Sequence, residues 1–156
     1  MWLAMVLIGC TQKTEAPVTR EKMRCAVPLP GSWRQSPATA ADHLFEARPQ
    51  GTEGTLVVVP SSETDSGAAI VKEAARSQEK HGTQRDFSIL PPSPLAKGTL
   101  HVSHWRTVEG APLRAQVAFA VEQQGRLVVA RFEDIDEEQV TTLVGSLTSM
   151  TCAVAP

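Results

Sequence analysis

The chain has no tyrosine and few other aromatic residues, with three tryptophans and four phenylalanines among its 156 residues. It also has no run of like charge, because its 15 basic and 17 acidic side chains are interspersed. Proteins that bind nucleic acid or an anionic bilayer through charge normally carry a basic cluster. The composition therefore argues against nucleic acid as a partner and leaves membrane attachment to a lipid.

The sequence lacks the signature motifs of common enzyme and cofactor chemistry. It contains no G-x-S-x-G nucleophile elbow, no glycine-rich phosphate loop and no C-x-x-C pair. His101 and His104 lie in a predicted strand, where residues three apart project from opposite faces, so the two imidazoles cannot chelate one ion. We therefore expect no catalytic residue, no cofactor and no metal site.

A short apolar stretch begins at Trp2 and ends in Leu7-Ile8-Gly9-Cys10. It is much shorter than the roughly 20 residues that a transmembrane helix needs. These last four residues resemble the lipobox of bacterial lipoprotein signal peptides, where a diacylglycerol is attached to the cysteine and the chain is cut before it. The resemblance implies that Cys10 is the lipidated first residue of the mature protein. The alternative is a buried segment with a chance cysteine.

The segment after Cys10 is polar. Residues 11–22 contain a proline and no hydrophobic period, which is typical of a flexible linker. We therefore divide the chain into a signal peptide (1–9), a tether (10–23) and one domain (24–153), whose length suits a single core. The lipobox resemblance implies a palmitoylated protein of the bacterial cell envelope. Thr11 in place of aspartate favours the outer membrane, facing the periplasm.

Two further cysteines lie near the ends of the domain, Cys25 and Cys152. In an oxidising envelope compartment, such a pair is a candidate disulfide. Two unpaired thiols are the alternative, since sequence alone does not show whether the Cα atoms come within about 7 Å.

The first half of the domain predicts short strands and then a helix. Asp65 and Ser66 offer side-chain oxygens to cap this helix, which runs to His81, and Gly82 is placed for a left-handed C-cap. The strand candidates before it are 26–30, 42–48 and 55–59. Because 26–30 contains two prolines, it can form only an edge strand.

The second half predicts a strand meander. Residues 113–121 alternate between apolar side chains and polar ones such as Arg114 and Gln116, so we expect one core face. Gln123-Gln124-Gly125 is typical of a hairpin turn into the next strand. The strand candidates are 86–90, 99–108, 113–121 and 126–132.

A second helix follows the meander, with an apolar stripe that must be buried: Val140, Leu143, Val144 and Leu147. Asp134 or Asp136 would cap it. The acidic residues at this helix start, which include Glu137 and Glu138, are better explained by capping and by the helix dipole than as paired catalytic acids.

The order of elements predicts an α+β fold, with an α/β/α sandwich, a largely antiparallel sheet and two main helices. The opening V-P-L-P-G-S-W at 27–33, the helix, the proline-broken connection, the meander and the terminal helix resemble the PsbP/DcrB-type domain over residues 25–150. Members of that group include envelope lipoproteins and secretion adaptors, so the resemblance implies binding or scaffolding. It brings no catalytic residues.

Two features are candidates for a partner surface. Trp33 and Trp105 are of the residue type enriched at binding hot spots, although core packing is the alternative in so aromatic-poor a chain. Pro91, Pro92 and Pro94 have a preset polyproline shape that suits docking, and a plain crossover loop is the simpler alternative.

The leading hypothesis is a non-enzymatic envelope lipoprotein, held to the membrane by its N-terminal lipid, that binds or scaffolds a protein partner. The alternative is a small periplasmic ligand-binding domain or enzyme that uses a cleft between the sheet and the proline-rich connector. A deep polar pocket with convergent titratable groups would favour this alternative, and an exposed apolar patch would favour the first hypothesis.

The first prediction concerns the anchor. Cys10→Ser should leave an unlipidated precursor, because only the thiol can carry the thioether-linked lipid. Labelled palmitate should mark the wild type alone, and the variant should leave the membrane fraction. Equal labelling of the two proteins would contradict the lipoprotein hypothesis.

Overall fold

The structure, a computed structural model, describes residues 23–51 and 53–154, so the predicted signal peptide and most of the tether lie outside the described residues. This part of the chain contains ten strands, two α-helices and a 3-10 turn at Glu137–Gln139. The helices are α1 (Ser66–His81) and α2 (Val140–Thr148). The strands are β1 (Met23–Ala26), β2 (Trp33–Gln35), β3 (Phe45–Pro49), β4 (Leu56–Pro60), β5 (Arg85–Ile89), β6 (Ser93–Pro94), β7 (Gly98–Arg106), β8 (Arg114–Gln123), β9 (Arg126–Asp136) and β10 (Thr151–Val154).

Eight of these strands form one antiparallel sheet, as predicted. Its order is β2-β3-β4-β9-β8-β7-β5, and β6 pairs with β7 beside β5. The predicted hairpin joins β8 to β9. Gln124 and Gly125 have φ angles of 51° and 74°, the left-handed pair that a two-residue hairpin turn favours.

The two helices lie on opposite faces of this sheet, which confirms the α/β/α sandwich and the α+β class. α1 packs on β7 and β8, and α2 packs on β8 and β9. Ala118 and Ala120 of β8 contact α1, whereas Val117 and Phe119 lie in the core on the other side. Every residue from 115 to 121 is buried, so the expectation of a single core face on this strand is wrong. The small alanine side chains allow α1 to pack closely on the second face.

The larger core lies between the sheet and α2. Trp33 is buried in it, with its ring centroid 5.2 Å from that of Phe132. Its outer wall is a separate two-stranded sheet of β1 and β10. Cys25 lies opposite Cys152 in this pair and is bonded to it, so the candidate disulfide is present in the structure. The sequence did not predict β10.

The layer beneath α1 is much more polar. Arg131 of β9 donates to both carboxylate oxygens of Glu73, with Nε 2.7 Å from Oε2. Ser77 hydrogen-bonds Ser103 at 2.5 Å. His101 and Gln116 are fully buried in the same layer. Burial lowers the pKa of His101, although the Glu73 charge opposes the shift, so its imidazole is neutral at pH 7.

The N-terminal end of α1 is as predicted, and its C-terminal end is not. Asp65 caps α1 as predicted, because it accepts from the Ala68 amide at 2.8 Å. Gly82, however, has φ −61° and is right-handed. Glycine is needed there for space, since a Cβ would lie 2.3 Å from the Gln78 carbonyl oxygen.

Neither Asp134 nor Asp136 caps α2. Asp136 precedes the 3-10 turn without a side-chain cap bond, and Gln139 is at the N-cap of α2. Both aspartates instead bind Arg114 of β8, with Asp134 Oδ1 2.7 Å from its Nε. These carboxylates fix the end of the β8–β9 ladder, where Arg114 is opposite Asp136.

The two proline segments lie at edges of the fold. β1 ends at Ala26, before the prolines of 26–30, and begins at Met23, one residue before the predicted domain. Residues 91–97 of the connector are exposed, and Ser93–Pro94 forms an edge strand, where a missing amide donor is tolerated.

The second prediction concerns the Cys25–Cys152 bond. It joins residues 127 apart in sequence, so by loop-closure entropy it should stabilise the domain by about 4 to 5 kcal/mol. Reduction should lower the melting temperature by roughly 15 °C. Calorimetry with and without reductant checks this, and non-reducing peptide mapping should recover the cross-linked pair. Free thiols at both positions in protein isolated from its own cells without reductant would contradict it.

Candidate functional site

The segment between β2 and β3 forms one wall of a groove at the end of the sheet. The groove has a volume of about 930 Å³. The opposite wall is formed by β1 and by residues of β4 and β9: Met23, Arg24, Cys25, Pro60, Arg126 and Val128. We call this cavity the loop groove, and residues 36–44 its loop.

Glu46 anchors the loop. Its neighbours on β3, Phe45 and Ala47, point into the larger core, so Glu46 projects from the opposite face of the sheet. α1 lies over β7 and β8 and does not reach this strand. The loop covers Glu46 instead, and the side chain is only 1% exposed.

One oxygen of this carboxylate holds two points of the loop. Glu46 Oε1 accepts hydrogen bonds from the Thr39 amide and the Thr39 hydroxyl, each at 2.7 Å. His43 Nδ1 contacts the same oxygen. Backbone bonds complete the turn, with the Leu44 amide 2.8 Å from the Val58 carbonyl oxygen. The loop is therefore tied to the sheet through a buried charge.

The bonds to Glu46 keep it ionised despite its burial. Desolvation acts first and raises the pKa of the carboxyl group. The hydrogen bonds from Thr39 and His43 and the charge of His43 oppose this and together outweigh it. The pKa of Glu46 therefore lies below its ordinary value of 4.5, and the group is a carboxylate at neutral pH.

His43 is the polar side chain that this arrangement presents to the groove. Its side chain is 21% exposed, and its Nε2 is 3.9 Å from Asp42 Oδ1. Ser36 also lines the groove, and within the described residues its buried hydroxyl has no hydrogen-bond partner. A serine nucleophile needs a direct bond to its histidine base, and Ser36 makes none to His43. The arrangement is suited to binding a polar group.

The two tryptophans predicted as a partner surface are not at the surface. Trp33 is 5% and Trp105 2% exposed, so both have the alternative role of core packing. Trp105 stacks on His81 of α1 with ring centroids 3.7 Å apart. Burial, with the nearby Lys80 charge, lowers the pKa of His81, so a neutral imidazole faces the indole.

The proline connector does lie at the surface. Pro91, Pro92 and Pro94 are exposed, and the leucines that flank them, Leu90 and Leu95, are 42% and 38% exposed. The docking of a partner on this connector stays a prediction. The loop groove does not involve this connector, so it is not the cleft between sheet and connector that the alternative hypothesis uses.

The histidine pair of β7 behaves as its spacing predicted. His101 lies beneath α1, and His104, three residues on, projects from the other face. Within residues 23–51 and 53–154, no group of three or more histidine, cysteine, aspartate or glutamate residues is arranged to hold a metal ion. None of the helices in these ranges is both long and apolar enough to cross a membrane.

No sequence pattern predicted Thr39, His43 and Glu46 as site residues. The sequence contained one indication of Glu46. This charged residue lies between the apolar residues Phe45 and Ala47 in a predicted strand. Its partners lie in an irregular loop, which has no periodicity to mark them.

Comparison with known proteins gives two structural likenesses. No protein-family model and no curated protein sequence matches the chain. LpqN of Mycobacterium tuberculosis, a protein involved in cell envelope biogenesis, is 13% identical with a TM-score of 0.46, covering 88% of this chain and 87% of that one. The cyanobacterial PsbP protein CyanoP of Synechocystis sp. PCC 6803 is 13% identical with a TM-score of 0.47, covering 90% and 96%.

The third prediction tests the Glu46 anchor. Because the folded pKa is depressed, the carboxylate stabilises the fold above its unfolded pKa, and this stabilisation is lost as the pH falls through the folded value. Glu46→Gln should cost about 1 to 3 kcal/mol at pH 7, since it removes charge-assisted bonds in a buried site. The difference from wild type should shrink between about pH 5 and pH 3.

Urea unfolding at pH 7, 5 and 3 measures this difference. Glu122→Gln, at an exposed position of β8, is the matched control and should change little. A cost for Glu46→Gln that stays constant with pH would show that the charge does not hold the loop.

Proposed function

We propose that the chain is a non-enzymatic cell-envelope lipoprotein, anchored in the outer membrane through lipid on Cys10, whose domain binds a polar ligand in the loop groove. The Leu7-Ile8-Gly9-Cys10 motif supports the envelope localisation and the lipid anchor. The observation that carries the binding role is the buried Glu46 carboxylate, which holds Thr39 and His43 in the wall of a groove of about 930 Å³.

The groove has the properties expected of a preformed ligand site. Its volume is near the upper end of the range for small-molecule sites, roughly 300 to 1,000 Å³. Its walls combine apolar surface with a few oriented polar groups, of which His43 is positioned from behind by Glu46. A side chain held in this way loses little conformational entropy when a ligand binds, which favours affinity.

The same groups argue for binding rather than hydrolysis. A histidine oriented by a carboxylate is half of a catalytic arrangement, and the other half is a nucleophile bonded to the free ring nitrogen. His43 Nε2 lies 3.9 Å from Asp42 Oδ1. An aspartate at this position is not a hydroxyl or thiol that the histidine could activate as a nucleophile.

A second candidate function is docking of a protein partner on the proline connector. The exposed leucines Leu90 and Leu95 flank a run whose proline rings preset a polyproline backbone, and exposed apolar residues next to a rigid segment are typical of peptide-recognition surfaces. Leu95→Ser should abolish the binding of a partner that docks there. A variant in which the loop groove is blocked should still bind this partner.

The fourth prediction uses a tryptophan to block the groove. Ala41 is an exposed residue of its wall, so Ala41→Trp should fill part of the cavity without disturbing the core. Ala75→Trp, at an exposed position of α1, is the matched control. Native mass spectrometry of each protein extracted from its own envelope should show a noncovalently bound mass on the wild type and the control alone.

Two outcomes would contradict the groove as the binding site. One is equal occupancy by the same bound mass in the wild type and in Ala41→Trp. The other is the absence of any bound mass from the wild type under conditions that preserve other noncovalent complexes.

A further inference from the structure

Two arginines lie directly opposite each other on neighbouring strands at one edge of the main sheet. Arg34 of β2 and Arg48 of β3 are register partners in an antiparallel pair. Partners of this kind have Cα atoms about 4.5 to 5.5 Å apart and project from the same face. Both side chains are exposed.

Neither arginine has an acidic partner among the residues that the structure describes. The nearest carboxylate on the same face of β3 is that of Glu46, which is buried and engaged by Thr39 and His43. Glu133 of β9 lies on this face two strands away and is held by Arg76, at 2.9 Å, and by Lys80. The two exposed arginine side chains therefore lie on one face of the sheet with no ion pair to a described residue.

Like charges directly opposite each other destabilise a sheet, so an unshielded arginine pair is an unfavourable arrangement for the free protein. An anion bound between the two groups removes the repulsion. Guanidinium presents a planar fork of donors that matches the oxygens of a phosphate group, and two forks can bind one phosphate from both sides.

We propose that Arg34 and Arg48 form a binding site for a phosphate group, separate from the loop groove. The ligand is a phosphate monoester or diester, carried either by a soluble molecule or by an anionic phospholipid headgroup. α1 does not cover this part of the sheet and both side chains are exposed, so the pair is accessible from solvent.

The test uses the full chain carrying Cys10→Ser, so that no lipid anchor contributes to binding. Inorganic phosphate, compared with chloride at equal ionic strength, is one probe, and its effect on melting temperature is measured. Vesicles containing phosphatidylglycerol, compared with pure phosphatidylcholine, are the other probe, and cosedimentation is measured. Matching the ionic strength matters because salt screens exposed charges over about 10 Å.

The double variant Arg34→Gln/Arg48→Gln should weaken binding by about tenfold or more, as expected for the loss of charge-assisted bonds. Arg85→Gln/Lys97→Gln removes the same net charge at the opposite edge of the sheet and should leave binding unchanged. Without phosphate, the Arg34/Arg48 variant should be as stable as the wild type or more so, because the repulsion is gone.

The two probes separate the sources of the phosphate. Stabilisation by inorganic phosphate that depends on the pair supports a soluble ligand, and cosedimentation with phosphatidylglycerol alone supports a headgroup. Equal binding by the two double variants would overturn the proposal, as would the absence of a response of the wild type to both probes. The groove test with Ala41→Trp is unaffected by any of these outcomes.

Discussion

An α-helix is about 10 Å across and the strands of a sheet are about 4.8 Å apart, so one helix covers two or three strands. In this protein, α1 packs mainly on β7 and β8 of an eight-stranded sheet and reaches β9 through Glu73, whereas β2 and β3 lie beyond it. The loop groove and the Arg34–Arg48 pair both follow from this difference between the width of one helix and the width of the sheet. Glu46 needs a loop to cover it because no helix does, and Arg34 and Arg48 stay in solvent for the same reason.

The half of that face under α1 combines a small apolar cluster with polar contacts, whereas the α2 side is held by apolar packing. Glu73 and Arg131, whose side chains are 6% and 13% exposed, form a two-pronged pair between α1 and β9. Glu73 raises the pKa of Arg131 further through its hydrogen bonds, although burial opposes this. A buried pair adds little net stability compared with apolar residues, but breaking one costs about 3 to 5 kcal/mol. The pair therefore fixes the register of α1 on the sheet more than it strengthens the fold.

Periodic features could be predicted from the sequence, and irregular ones could not. Capping residues located α1, and the 3.6-residue and 2-residue patterns located α2, β8 and β9, because burial of one face imposes these periods on the residues themselves. Alternation also misled for β8, since Ala118 and Ala120 do not show whether a second layer packs on them. The loop groove and the arginine pair depend on strand register and loop conformation. Register joins Arg34 to Arg48 across 14 positions, a distance at which no local pattern operates.

The disulfide connects the fold to the groove. Two-stranded sheets are marginally stable alone, and β1 pairs with β10 over four residues before the chain turns away. Met23, Arg24 and Cys25 of this short strand also form a wall of the loop groove, and the Cys25 amide bonds the Leu44 carbonyl oxygen at the end of the loop. The covalent bond at Cys25 therefore fixes this wall to β10 and, through the Cys25–Leu44 hydrogen bond, supports the loop. The shape of the groove depends on an oxidised cysteine pair, which is stable in the envelope compartment that the lipobox resemblance implies.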